Sequence, residues 1–452
     1  MEDILNELIS IGEKVALKAK EIGADDIELY LVHNEVLNAR LITNYVTTQA
    51  GIEVGVGVRV AIGKNVGFAS VSSLEQDKII ETAKMAIKIA KAKGEDPNFN
   101  HLPDPVAGYG MGGIFDEDIY MMDPYELSQK VQDLVKKARD LEEDIKKLDI
   151  FATRSNAAFA VVNSRGISIG DYGSVFFTWM DINVVKNGKT GKGMDAYITR
   201  KFKIDDLMKV PEVATRMARE GLKAVKLKEP FVGDAVIGPF VMDSIIWPLW
   251  YNASALNVQE KRSRFVGMLG KEVANKAFTI YDDGTLPEGI MTKKCDAEGI
   301  PTMKKTIIEN GILKTYLYDT YTAYRENRES TGNAIRRGGY RNQPQPGPTN
   351  LVIESTANKS LVDLIGEVDK GVLLRGEAMG AHTINPIKGT MGITCLNALY
   401  IENGDVAYPL KAVAMSEDYF NFLKKIEIVG SEYRITFNGK MPPLIVRNVN
   451  FG

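Results

Sequence analysis

GIEVGVGVRVAIGKNVGFASVS, residues 51–72, decides the fold class of this 452-residue chain. Val54, Val56, Val58 and Val60 alternate with Gly55, Gly57 and Arg59. A period of two marks a strand whose two faces meet different surroundings. GKN at 63–65 is turn chemistry and VGFASVS resumes the alternation, so the stretch reads as an antiparallel hairpin. Just upstream, DIELYLVH at 26–33 reads as another strand. Before it, Ile4, Leu5, Leu8, Ile11, Val15 and Leu17 repeat at helical spacing, and the pattern stops at Gly23, a residue suited to ending a helix. Residues 74–93 return to helical periodicity, so the first hundred residues read α-β-β-β-α.

Outward from that unit, residues 94–118 are rich in Gly and Pro and suggest a boundary or a long surface loop. A helix is expected near 124–144. Residues 151–185 read as successive strands joined by turns at SRG and DYG, and VVKNGKTGKGMDAYITR at 184–200 as another hairpin. A helix over roughly 204–223 precedes KLKEP, a second boundary. Further hairpin signatures stand at ENGIL (309–313), IENGDVAYP (401–409) and FNGK (437–440). The expected class is α+β: an N-terminal α+β domain over 1–118, a middle segment of helices and β-rich hairpins over 119–226, and a C-terminal domain of mainly antiparallel sheet with a few helices over 227–452.

Composition narrows the function. The 56 basic and 59 acidic side chains nearly balance, and no basic block tracks a phosphate backbone, so direct nucleic-acid binding is not expected. Cys295 and Cys395 stand 100 positions apart, which makes neither a disulfide framework nor a CxxC pair and fits a reducing cytoplasm. The acidic start MEDILNELIS has no basic segment ahead of an apolar run, and no later run reaches the length of a membrane span. A cytoplasmic protein that neither crosses nor enters a membrane is expected.

Several phrases imitate chemical motifs. GYGMGG at 108–113 matches GxGxxG but follows a proline-rich loop rather than a strand, and GKTGKG at 188–193 lacks the Ser or Thr that Mg²⁺ coordination needs. The three histidines, His33, His101 and His382, are too scattered for HExxH or HExxxH. Asp282 with Asp283 in YDDGTLPEG, and Asp296 with Glu298 in CDAEGIP, could hold a hard cation or share a proton. The same letters are also favoured turn chemistry, in which Asp satisfies its own backbone. His382 lies in GAHTINPIKGT, where Gly380, Asn385-Pro386 and Gly389 suit a tight connection.

In order along the C-terminal half stand CDAEGIPTMKKTIIENGILKTYLYDTYTA (295–323), STGNAIR (330–336), GPTNLVI (347–353), GAHTINPIKGT (380–390), YIENGDVAYPL (400–410) and PPLIVRNVNFG (442–452). With GVGVRVAIGKNVGFASVSSL at 55–74, this ordered set resembles the TldD/PmbA family, the so-called modulators of DNA gyrase. The resemblance covers nearly the whole chain. It implies a metallopeptidase family with two branches that pair as subunits. The TldD-like branch carries HExxxH on a mid-chain helix and a cysteine ligand near the C-terminus. At the equivalent place this chain reads DAVIGPFVMDSIIWPLWYNAS (234–254), and no cysteine follows Cys395.

The resemblance is therefore to the PmbA branch, also called TldE. It implies no catalytic residue and no bound cofactor in this chain, with zinc expected in a TldD-like partner. The expected role is the non-zinc subunit of a heterodimeric protease that takes extended, unfolded or flexible peptides, with a homodimer possible when the chain is alone. His382, Asn385, Asn333 and Arg336 are the candidates for a substrate groove or partner interface. Two alternatives stand beside this reading: a self-sufficient hydrolase with a cation on the four carboxylates, and a non-enzymatic adaptor linked to topoisomerase pathways.

Overall fold

The computed structural model describes every residue except 43, 111 and 113. Six strands, β1 (Asp26–Ile42), β2 (Tyr45–Ile62), β3 (Asn65–Val71), β4 (Ile145–Asn163), β5 (Ser168–Lys186) and β6 (Lys189–Thr199), form one sheet in the order β3-β2-β1-β4-β5-β6. Every neighbouring pair in it is antiparallel. The helices α1 (Glu2–Glu21) and α2 (Gln76–Ala92) complete the α-β-β-β-α order read from the first hundred residues.

The long strands give this sheet room for two cores on one face. Ile27, Leu29 and Leu31 of β1 pack with Val56, Val58, Val60 and the buried stripes of α1 and α2. Further along the same strand and on the same parity, Leu37, Ala39 and Leu41 pack under helices Pro124–Leu141 and Lys209–Gly221. Each fully buried valine or leucine contributes about 1.5–3 kcal/mol. Because β1 pairs with β4 from Glu28 opposite Asn163 to Arg40 opposite Phe151, the sheet runs across residue 118. The Gly/Pro-rich stretch is thus a long crossing within one sheet-forming unit.

The opposite face of the sheet meets the C-terminal half. Tyr30, Phe159 and Val161 pack there against Cys295, Ala297, Ile300, Ala334 and Tyr340. Gly55 and Gly57 lie on this face because a side chain at 55 would overlap the Tyr340 ring and one at 57 its carbonyl oxygen. The alternation that opens the sequence therefore has two physical causes: valines under helices, glycines under Tyr340.

The C-terminal half contains a nine-stranded sheet built around Phe231–Ile237 and Leu444–Phe451, and a six-stranded sheet that includes Ile280–Asp283 and Lys304–Glu309. Pairing is mainly antiparallel, with parallel pairing of Leu351–Ile353 to Gly439–Met441 and of Phe231–Ile237 to Lys370–Leu374. The expected α+β class holds. ENGIL and IENGDVAYP are hairpins whose Asn310-Gly311 and Asn403-Gly404 steps have positive φ, as a two-residue primed turn requires. The phosphate-loop imitation GKTGKG lies in the β5–β6 hairpin, and GYGMGG lies partly outside the described residues.

One expected turn is corrected. SRG is a turn, but DYG lies inside β5. The glycine beside it, Gly170, serves close packing instead, because a Cβ there would meet the Phe159 carbonyl on β4. Among the described residues no helix is long and apolar enough to cross a membrane.

Candidate functional site

Glu28 and Arg59 are directly opposed across β1 and β2, on the face covered by the C-terminal half. Arg59 Nη2 donates to Glu28 Oε2 at 2.6 Å and to Glu298 Oε1 at 2.7 Å. Arg336 Nη2 donates to the other Glu28 oxygen at 2.6 Å, and its guanidinium lies over the Tyr30 ring. Glu298 Oε2 accepts the Thr320 N–H at 2.8 Å. All four charged side chains are buried. Their charges sum to zero, which is what makes so deep a cluster tolerable.

Around this centre, burial works against ionisation. Burial and the Glu298 carboxylate push Asp296 up to about 8, although its oxygens accept N–H bonds from Glu298, Ile300 and Ala334. Burial and Glu298 likewise push Asp319 up to about 7. Glu298 itself is held below the ordinary range despite its burial, chiefly by the Arg59 charge. Asp319 caps helix Thr320–Tyr324 by accepting the Thr322 N–H at 2.8 Å.

A second network holds Asp282. Its carboxylate accepts from Asn333 Nδ2 at 2.8 Å, Thr349 N–H at 2.6 Å, Thr349 Oγ1 at 2.9 Å and Lys305 Nζ at 3.0 Å. Asn333 also donates to the Gly347 carbonyl. Asp283 accepts the Thr285 N–H and hydroxyl, as an Asx turn does.

The candidate residues thus fall into three places. Asp296, Glu298 and Arg336 belong to the first network, Asp282 and Asn333 to the second with Asp283 in the Asx turn beside it, and His382 and Asn385 to a loop. Asn333 and Arg336 are bonded to this chain's own buried groups, so neither is presented to a groove. All four carboxylates accept hydrogen bonds from protein donors, in the arrangement that turn and interface packing favours. His382 is exposed on a short helical turn, Ala381–Thr383. Asn385 Oδ1 accepts the N–H groups of Ile387 and Lys388, so it shapes the turn. Gly380 and Gly389 both have positive φ, as a tight connection there requires.

That loop docks on the segment where the resemblance looked for zinc ligands. Trp247 Nε1 donates to the Ala381 carbonyl at 2.9 Å and Asn252 Nδ2 to the Pro386 carbonyl at 2.8 Å. The segment forms helices Pro239–Ile245 and Trp247–Ala253. Its one acidic side chain in those helices, Asp243, accepts from Asn438 N–H at 3.0 Å and Nδ2 at 3.1 Å. With no histidine or cysteine beside it, this donor set does not fit zinc. Among the described residues no three His, Cys, Asp or Glu side chains converge as metal ligands.

Sequence reasoning overlooked Glu28 and Arg59. The available signal was Arg59 itself, the one charge in the valine- and glycine-rich run from Val54 to Ala61.

The PmbA/TldA metallopeptidase C-terminal domain matches residues 232–452, and PmbA/TldA metallopeptidase domain 1 matches residues 27–90. An uncharacterised protein of Methanocaldococcus jannaschii is 30% identical over 427 residues, covering 93% of each chain. The chain belongs to the PmbA/TldD metallopeptidase family. Within that family a metalloprotease PmbA homologue of Haemophilus influenzae is 24% identical, over 95% of this chain and 92% of its own. Crystal structures with the same fold include TldE from Thermococcus kodakarensis, with a TM-score of 0.88 at 24% identity, covering 98% of this chain and all (100%) of that one. A putative modulator of a DNA gyrase from Thermotoga maritima has a TM-score of 0.85 at 21% identity, over 98% and 99% of the two chains.

Proposed function

We propose that this chain is the zinc-free partner subunit of a TldD-type peptidase, on the TldE/PmbA side of the family. The observation that carries the reading is the segment at 234–254. Its two helices are packed into the chain's own core, Asp243, Trp247 and Asn252 are hydrogen-bonded within this chain, and the segment offers neither histidine nor cysteine. A hydrolytic metal then belongs to a TldD-like subunit, and this chain contributes shape.

One feature suits that contribution. β2 pairs with β1 along its whole length, but β3 covers its other edge only from Val56 onward. Residues 45–55 therefore leave an edge without a strand partner among the described residues. Such an edge can take an extended peptide or a partner strand by main-chain pairing, which reads backbone rather than side chains and favours unfolded segments. Both cysteines are buried and free, which suits a reducing cytoplasm.

The test is to mix the purified chain with a TldD-like subunit carrying HExxxH. A heteromeric complex by size-exclusion chromatography, with peptide hydrolysis above that of either chain alone, is expected. Two chains that stay apart at micromolar concentration, with the TldD-like one fully active alone, would sink the reading.

A further inference from the structure

A cavity of about 460 Å³ lies between the long sheet and the C-terminal half, and none of its lining residues comes from the 234–254 segment. Its volume is that of a small-molecule site. Val32, Phe159 and Tyr340 give it an apolar and aromatic wall, and Lys293 lines it. The Lys293 ammonium lies 5.2 Å from the Phe159 ring centroid and makes no ion pair among the described residues.

The charges on the wall do not cancel. Arg200 spends its guanidinium on neutral carbonyls, those of Ser174, Thr292 and Ile114 among them. Asp171, the carboxylate of the lining that acts on both cations, accepts the backbone N–H groups of Lys294 and Tyr172, while Asp296, which also acts on Lys293, lies outside the lining. At the rim, Glu53 and Arg341 pair with each other at 2.5 Å. His33 lies 3.3 Å from Glu35. Among the lining side chains, with Glu53 and Arg341 paired, two positive charges against one negative leave a single positive charge beside the apolar wall.

We propose that this cavity binds a small organic monocarboxylate bearing an aromatic or aliphatic group, with Lys293 as its counter-ion. A single carboxylate balances the wall, whereas a phosphate dianion would overcompensate it. An apolar group of phenylalanine size fills the Val32, Phe159 and Tyr340 side. Burial holds the Lys293 ammonium below its ordinary pKa, as expected of a cation whose partner arrives with the ligand. The chemistry is shared by free amino-acid derivatives and by the C-terminus of a peptide. The proposal is independent of the peptidase reading and survives if no TldD-like partner binds.

The experiment measures binding of N-acetyl-phenylalanine and of its uncharged amide to the full chain by calorimetry. The acid is expected to bind at least about tenfold more tightly than the amide, as a charge-assisted contact implies. Lys293→Met should erase that preference while unfolding remains cooperative. Ala157→Trp, at an exposed lining position, should weaken both ligands and serves as the decisive variant if Lys293→Met does not fold. A C-terminal-phenylalanine peptide, as acid and as amide, separates the sources: competition with the single residue points to chain ends, exclusion to free small acids. Equal binding of acid and amide, no binding at millimolar concentration, or acid binding unchanged in Ala157→Trp would overturn the proposal.

Discussion

Arg59 on the long sheet and Glu298 in the C-terminal half are joined at 2.7 Å across 239 positions of sequence, with both side chains buried. The bond ties the two halves of the molecule at a point where neither charge reaches water. Replacing one partner leaves the other as an uncompensated buried charge. Glu298→Gln and Arg59→Met are each expected to lower stability by about 3–5 kcal/mol, read from urea unfolding midpoints. A loss below about 1 kcal/mol would mean that water replaces the missing partner.

Asp319 makes a pH-dependent contribution. Its folded pKa is raised from 3.8 to about 7, so between those values the folded state binds more protons than the unfolded one. Its contribution then falls as pH rises through that window, by up to about 1.4 kcal/mol per pH unit. Asp319→Asn keeps an oxygen to cap Thr322 and removes the titration. Unfolding midpoints of variant and parent should lie close together near pH 4 and diverge in the variant's favour by pH 7. Parallel profiles would contradict the assignment.

Gly55 and Tyr340 are coupled through space. Gly55→Ala should cost about 1–3 kcal/mol in the parent, because the added methyl overlaps the Tyr340 ring. In a Tyr340→Ala background the same change should cost much less. A double-mutant cycle with no interaction energy would show that the strand relieves the clash by shifting.

Asp282 is satisfied by Asn333, Thr349 and Lys305 rather than by a cation. Millimolar Ca²⁺ or Mg²⁺, or a chelator, should therefore leave the melting temperature unchanged. Asp282→Ala should destabilise the protein by about 1–3 kcal/mol or more with or without these ions. A cation-dependent melting temperature that disappears in Asp282→Ala would reverse the assignment.

His382 is exposed and belongs to no buried network among the described residues. His382→Ala should leave stability within about 0.5 kcal/mol by thermal unfolding. An effect limited to hydrolysis by the assembled complex would place the residue at the groove or at the partner surface.

The sequence by itself determined the local structure and one negative. Alternation from Val54 to Val60, helical spacing in the first twenty residues and Asn-Gly steps at 310–311 and 403–404 each report a backbone period or a φ requirement, which a few neighbouring residues settle. The missing zinc ligands were equally legible, since three scattered histidines cannot form HExxxH wherever they fold. Tertiary structure decided what lies opposite each face. It put Gly170 and DYG inside β5, set Tyr340 over Gly55 and Gly57, and buried Arg336 and Asn333 that the sequence left as groove candidates. It also gathered Glu28, Arg59, Glu298 and Arg336 from distant segments. A charged letter in a strand says that its side chain needs a partner, while the identity of that partner depends on packing between elements hundreds of residues apart.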